Sequence, residues 1–275
     1  MMKHTSPTAL FIRRELSQSL HARWFMVYSI IFLAGGVLFA AFGLDDSIVY
    51  GYRGFAKAFA GLVHLALMAV PLMALFPAAA AIAEERESGA LEYILAQPVT
   101  FGQVYAGKWA GVGVALLLSL TIGFGAAGSF AILRQVPATM VLVLYCFVLL
   151  LALVFMSLGF LLSTLTTSRA RAVTFGIVVW FAMLALGTLG VMVAFVRWGL
   201  PERMLMAWTF LNPVEAFRIG IIVSLDPDLS LLGPVGAKIL DALGSRGTGL
   251  LAGISLALWT AIPALIGLKG YHAKG

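Results

Sequence analysis

The sequence predicts an all-α integral membrane protein, a single membrane domain over residues 1–275 with six transmembrane helices. Two observations carry that reading. Only 11% of the residues are charged and 61% are hydrophobic, with a mean hydropathy of +1.01. A soluble domain carries about 25% charged residues, so this chain has too few charges to coat itself in water. The second observation is six stretches without Asp, Glu, Lys or Arg: 24–44, 58–83, 109–133, 138–163, 172–196 and 247–268. Each reaches the roughly 20 residues that cross a bilayer as a helix. In lipid the backbone must satisfy its own polar groups, and a helix does so within one segment.

Residues 7–23 come first. Ser6 followed by Pro7 is a good N-cap and first-turn pair. Leu10, Phe11, Leu16 and Leu20 can sink into the membrane interface, with Arg13, Arg14 and Arg23 toward lipid headgroups. The apolar run that follows is longer than the core of a cleaved signal peptide and is expected to stay as an anchor.

Lys and Arg set the orientation. With the N-terminus in the cytoplasm, the inner segments hold Lys3, Arg13, Arg14, Arg23, Arg86, Lys108, Arg169, Arg171, Lys269 and Lys274. The short outer segments hold Arg53, Lys57 and Arg134; the rest lie in the long segment 197–246, which counts less. Both termini are therefore expected inside. Segments 1–23, 84–108 and 164–171 fall on the cytoplasmic face, and 45–57, 134–137 and 197–246 outside. The net charge of +6 needs no nucleic acid partner, because the basic residues flank apolar runs instead of forming one patch.

None of the six stretches carries a charge, whereas ion- and proton-driven carriers commonly keep one at membrane depth. Work done by this protein is therefore expected to draw on a partner. His64 and Met68 share a helix face and could form a soft-metal pair, but two ligands are few and a packing histidine is the simpler reading. Met204 and Met206 pose the same question. The single cysteine, Cys146, allows no intrachain disulfide and no multi-cysteine metal site. There is no P-loop, no G-x-S-x-G elbow and no H-E-x-x-H motif, so no ATPase or hydrolase is expected in this chain. Gly123-Phe124-Gly125-Ala126-Ala127-Gly128 matches a dinucleotide-binding spacing, but inside an uncharged stretch it reads as helix packing. Gly107/Gly111 and Gly249/Gly253 have small-residue spacings that also suit helix contacts.

Segment 84–108 is the most informative. Glu84, Glu85, Arg86 and Glu87 precede Gly89; Leu91, Ile94 and Leu95 form a short apolar stripe beside Glu92; and Pro98 ends the run. A short exposed helix with an apolar stripe is a docking element. At Glu85, Arg86, Glu87, Gly89, Leu91, Glu92, Leu95 and Pro98, followed by Gly107-Lys108, the chain resembles the ABC-2 family of transporter permeases. Their hallmark reads E-R-E-x-G-x-L-E-x-x-L-x-x-P after the second span. The span count and the amphipathic N-terminal helix agree with it. The resemblance implies a type V-like exporter fold. It also implies that residues 84–98 couple to a cytoplasmic ABC ATPase, in an assembly of two permease and two ATPase subunits. ATP and Mg²⁺ would be bound by that partner, and this chain would need no cofactor of its own.

In the outer segment 197–246, Asn212-Pro213-Val214-Glu215 has the form of a helix start: N-cap, first-turn proline, acid in the first turn. A helix is expected from there to about Leu225, broken at Asp226-Pro227-Asp228, with a second over 235–243 ending at Gly244. These helices are expected to lie on or dip into the outer leaflet. Pro71, Pro77 and Pro263 fall within spans and are candidate bending points. The stretch 211–218 is similar to the membrane subunits of the bacterial system that matures the copper centres of nitrous oxide reductase. That similarity implies a NosF-like ATPase dimer, a second copy of this chain, a NosD-like periplasmic partner and a place in the inner membrane. It would put Asn212, Pro213, Glu215 and Arg218 at the periplasmic-partner interface. The competing expectation is an exporter of a lipid, a drug or a sulfur species.

Overall fold

The fold is seen in a computed structural model that describes residues 7–38, 52–133, 137–190, 197, 201–225 and 233–270. Every regular element among them is helical. Helix α1 runs Pro7–His21 and α2 Arg23–Leu38. Then come α3 Tyr52–Glu87, α4 Ala90–Leu95, α5 Phe101–Leu133 and α6 Ala138–Leu165. Helix α7, Arg169–Ala185, passes into a π turn over Leu186–Gly190. Helices α8 Glu202–Leu211, α9 Pro213–Leu225 and α10 Gly233–Lys269 complete the order.

Four stretches are long and apolar enough to cross a membrane among the described residues: Val63–Glu87, Phe101–Leu133, Ala138–Leu165 and Ile239–Lys269. They match the second, third, fourth and sixth expected spans. The first is seen only as α2, and residues 39–44 lie outside the described part. The fifth is seen as α7 with its π turn, and 191–196 lie outside it too. The Asp226-Pro227-Asp228 break also falls on residues outside the description. Gly244, at φ 68°, interrupts α10 where the sequence placed a helix end.

The core is built around α6, which packs on α3 and α10. Phe155, Phe160, Leu151 and Met156 of α6 are fully buried beside Leu67, Leu75 and Ile82 of α3. Close approach needs a missing side chain: a β-carbon on Gly159 would sit 2.8 Å from Ala78 Cβ and 3.0 Å from the Leu75 carbonyl oxygen. Helix α7 is keyed to α3 by Gly176, seated against Leu75, and by Trp180, whose indole N–H donates to the Leu67 carbonyl at 3.3 Å.

The segment before the last span forms two helices, α8 and α9, that pack against the bundle. Sequence reasoning placed helices on or in the outer leaflet and missed α8 altogether. In the structure α9 is inserted between α6 and α10, with Val214, Ala216, Phe217 and Ile221 wholly buried. At Gly220 a β-carbon would meet Phe147 of α6 (Cζ, 2.7 Å) and Ala252 of α10 (2.9 Å). The run Ile219, Ile221, Ile222, Val223 is apolar on several faces because it is packed on several faces.

Candidate functional site

Helix α1, the end of α3 and the start of α5 meet at one end of the bundle. Lys108, only 5% exposed, lies near the start of α5. Its Nζ is 3.0 Å from Glu15 Oε2 on α1 and 3.0 Å from Glu85 Oε1 in the last turn of α3. An ammonium so buried requires paired charges around it. The small residues beside it let α1 approach. A β-carbon on Gly111 would lie 2.6 Å from Glu15 Cβ and 3.1 Å from the Ile12 carbonyl, and Gly107 abuts Phe11 in the same way. The Gly107/Gly111 spacing is thus a seat for the N-terminal helix. Among the described residues, Gly249 has Ser224 Oγ near it, at 3.5 Å, and Gly253 meets none within 4 Å. Of the glycine-rich run in α5, Gly128 abuts Val141 of α6 and Gly125 faces open space.

The acidic stretch is the end of α3 and not a separate loop. Arg86 turns back and its Nη1 donates to the carbonyls of Thr164 and Thr166, each at 2.9 Å, satisfying the open C-terminal end of α6. Glu87 Oε2 accepts from the Arg169 amide at 2.9 Å, at the N-terminus of α7, where a carboxylate complements the helix dipole. Glu84 pairs with the Arg169 guanidinium at 3.2 Å, an exposed and therefore weak contact. Deeper, Ser163 Oγ accepts from the amides of Ile82 and Ala83 at 3.0 and 2.8 Å. The ends of α3, α6 and α7 are thereby bound together.

The turn into α4 needs Gly89, whose φ of 74° suits glycine alone among the residues around it. Leu91 is then carried inward, 2% exposed and part of the core, with Ile94 and Leu95 half-buried. The stripe expected to face a partner instead fastens α4 to the bundle. Glu92, Tyr93, Ala96, Gln97 and Pro98 face outward, and Tyr93 is 78% exposed. Sequence reasoning missed Tyr93 as the most accessible ring here; its place two residues after the buried Leu91 was the available signal.

Between α1, α2, α3 and α7 lies a cleft of about 1160 Å³. Its lining includes the charged Arg14, Glu15, Glu84, Glu85, Lys108 and Arg169 and the apolar Trp24, Tyr28, Phe76 and Val173.

A second polar cluster occupies the break between α8 and α9. Asn212 is the N-cap that the sequence indicated: its Oδ1 accepts from the Val214 amide at 2.9 Å. Its Nδ2 donates to the Met183 carbonyl of α7 at 2.8 Å. The carbonyls ending α8 are satisfied from α10, Leu211 by the Trp259 indole at 2.9 Å and Phe210 by the Ser255 hydroxyl. Glu215 and Arg218 pair at 3.0 Å close by. Asn212 and Pro213 are buried, and Glu215 and Arg218 are mostly covered by their own chain. Asn212 thus ties the segment to α7, and Glu215 and Arg218 pair along α9.

His64 and Met68 are both exposed on α3. Among the described residues no group of three or more His, Cys, Asp or Glu side chains is placed to hold a metal ion.

Comparison with known proteins bears on this geometry directly. A profile described as "ABC-2 family transporter protein" matches residues 10–272. A "Probable ABC transporter permease protein NosY" of Pseudomonas aeruginosa is 32% identical over 248 residues, covering 83% of this chain and 88% of that protein. A protein of the same name from Stutzerimonas stutzeri is 29% identical over 265 residues, covering 94% and 92%. With its multi-pass helical architecture, this chain belongs to the ABC-2 transporter family and is a permease subunit of an ABC transporter.

Proposed function

We propose that this permease couples ATP hydrolysis by a separate cytoplasmic ATPase to an event on the periplasmic side of the bacterial inner membrane. That event is assembly of the copper centres of nitrous oxide reductase. The protein works as a homodimer of six-span subunits with both termini in the cytoplasm, together with a NosF-like ATPase dimer and a NosD-like periplasmic protein. It is no enzyme itself; ATP and Mg²⁺ belong to the ATPase.

The observation that carries this reading is the construction around residues 84–98. Glu85, Arg86 and Glu87 bind α5, α6 and α7, while Glu92, Tyr93, Gln97 and Pro98 face outward. A force on the outward face would reach several spans at once. The copper assignment is supported by the names of the two relatives. Mild-detergent purification of the tagged chain should bring down an ATPase, and Glu92→Lys with Tyr93→Ala should release it. Deletion of the gene should leave the reductase without its copper. Normal copper content would sink the copper assignment, and ATPase retention by the double variant would sink the docking assignment.

The cleft supports a second reading, an exporter of a lipid, drug or sulfur species. Its mixed charged and apolar lining suits an amphiphile entering from the inner leaflet. ATPase-dependent vesicle transport without the periplasmic protein would favour it.

A further inference from the structure

The outward cytoplasmic surface and the buried α8–α9 break are joined by one rod. At its N-terminus α7 is held by Glu84 and Glu87 through Arg169. Along its length it is keyed to α3 by Gly176 and Trp180. About 21 Å up the helix from Arg169, Met183 offers its carbonyl to Asn212 Nδ2. A π turn follows directly at Leu186–Gly190. Stepping from i+4 to i+5 hydrogen bonds releases a carbonyl from the ladder, and such turns cluster at working sites. Gly187, in that turn, has no side chain where a β-carbon would stand 2.6 Å from Glu215 Oε1 and 3.1 Å from Asn212 Nδ2. Apolar packing binds α9 to α6 and α10, whereas the polar tie to the rod runs through Asn212.

We infer that Asn212 is a positioning residue. Its side chain clasps the α8–α9 break to Met183, so that displacement of α7 at the ATPase end moves the re-entrant hairpin. The inference rests on the ATPase-coupling reading above. It gives the single asparagine two separable duties: Oδ1 caps α9, and Nδ2 holds α7. Serine can take the first duty but is too short for the second.

The test is hydrogen exchange on the permease–ATPase complex with Mg-ADP and with Mg-AMP-PNP, following segments 84–98 and 201–225. In the unsubstituted complex both segments should change protection between the two nucleotides. Asn212→Ser should raise exchange of the amides around 213–217 by about five- to tenfold, as expected for one lost buried hydrogen bond. It should also abolish the nucleotide-dependent difference at 201–225 while leaving that at 84–98 intact. A residue that served only stability would raise exchange equally in both nucleotide states and keep the difference. That result would overturn the clasp. No nucleotide response at 84–98 in the unsubstituted complex would instead overturn the coupling reading, and the clasp with it. Gly187→Ala, which sets a methyl group against both Glu215 Oε1 and the Asn212 amide nitrogen, should disturb the same clasp and give the same selective loss, and retention of the difference there would also overturn the proposal. It serves as well if the serine variant does not fold.

Discussion

Replacing Lys108 by methionine is the sharpest test of how the charged end is held. The two carboxylate contacts are each 3.0 Å long, and the three side chains are only 7, 14 and 16% exposed. With an effective dielectric near 20, each contact carries about 5 kcal/mol of gross attraction. Desolvation of three charges cancels most of that sum, so the triad itself contributes little net stability. Deleting the cation alone is a different operation, because it leaves two carboxylates buried together. Breaking a buried pair in this way costs about 3–5 kcal/mol. Lys108→Met should therefore unfold early in detergent, followed by tryptophan fluorescence. It should also free α1, so that limited proteolysis cuts within residues 7–21. Adding Glu15→Gln and Glu85→Gln to the same chain should recover at least half of the loss. Glu85→Gln alone leaves Lys108 with Glu15 and should cost only about 1 kcal/mol. If Lys108→Met unfolds like the natural chain and α1 stays protected, the triad does not hold this end together.

Three further outcomes follow from the same geometry. Gly111→Leu should displace α1 and expose it to protease, since even a β-carbon there would lie 2.6 Å from Glu15 Cβ. Leu91→Ala should destabilise the subunit by about 2–5 kcal/mol as a core truncation; Tyr93→Ala, 78% exposed, should stay within about 0.5 kcal/mol yet weaken ATPase retention on an affinity column. Arg86→Gln removes a charged donor from two carbonyls at 2.9 Å and should cost about 3 kcal/mol, seen as faster exchange at the end of α6.

The sequence shows the spans plainly because lipid imposes a strict rule: a charge-free stretch of the right length has few other uses. The N-terminal helix and the acidic segment were legible for related reasons, through periodicity, Pro7 and the motif residues up to Pro98. Direction was not legible. A stripe of Leu91, Ile94 and Leu95 looks the same whether it faces a partner or its own bundle, and only the turn at Gly89 decides, by rotating Leu91 into the core. The N-cap at Asn212 was readable because capping is local. Its second bond, to Met183, joins residues 29 apart and leaves no mark in either neighbourhood. Helix α8 was missed because its ten residues are short for a span.

The six charge-free stretches bring no ion into the bundle, but the hairpin brings two. Glu215 and Arg218 enter the bundle on α9, 3.0 Å apart and three residues apart on one helix. Because the partners share a helix, the two charges offset each other within the element. Within α9, Glu215 and Arg218 break the apolar run, so no charge-free stretch of span length is found there. The arrangement makes an asymmetric prediction. Arg218→Met should strand a covered carboxylate inside the bundle and cost about 3–5 kcal/mol, whereas the double change with Glu215→Met should be close to neutral for thermal stability. A double-substituted subunit as unstable as the single would mean that the two charges are held by other partners and do not offset each other within the helix.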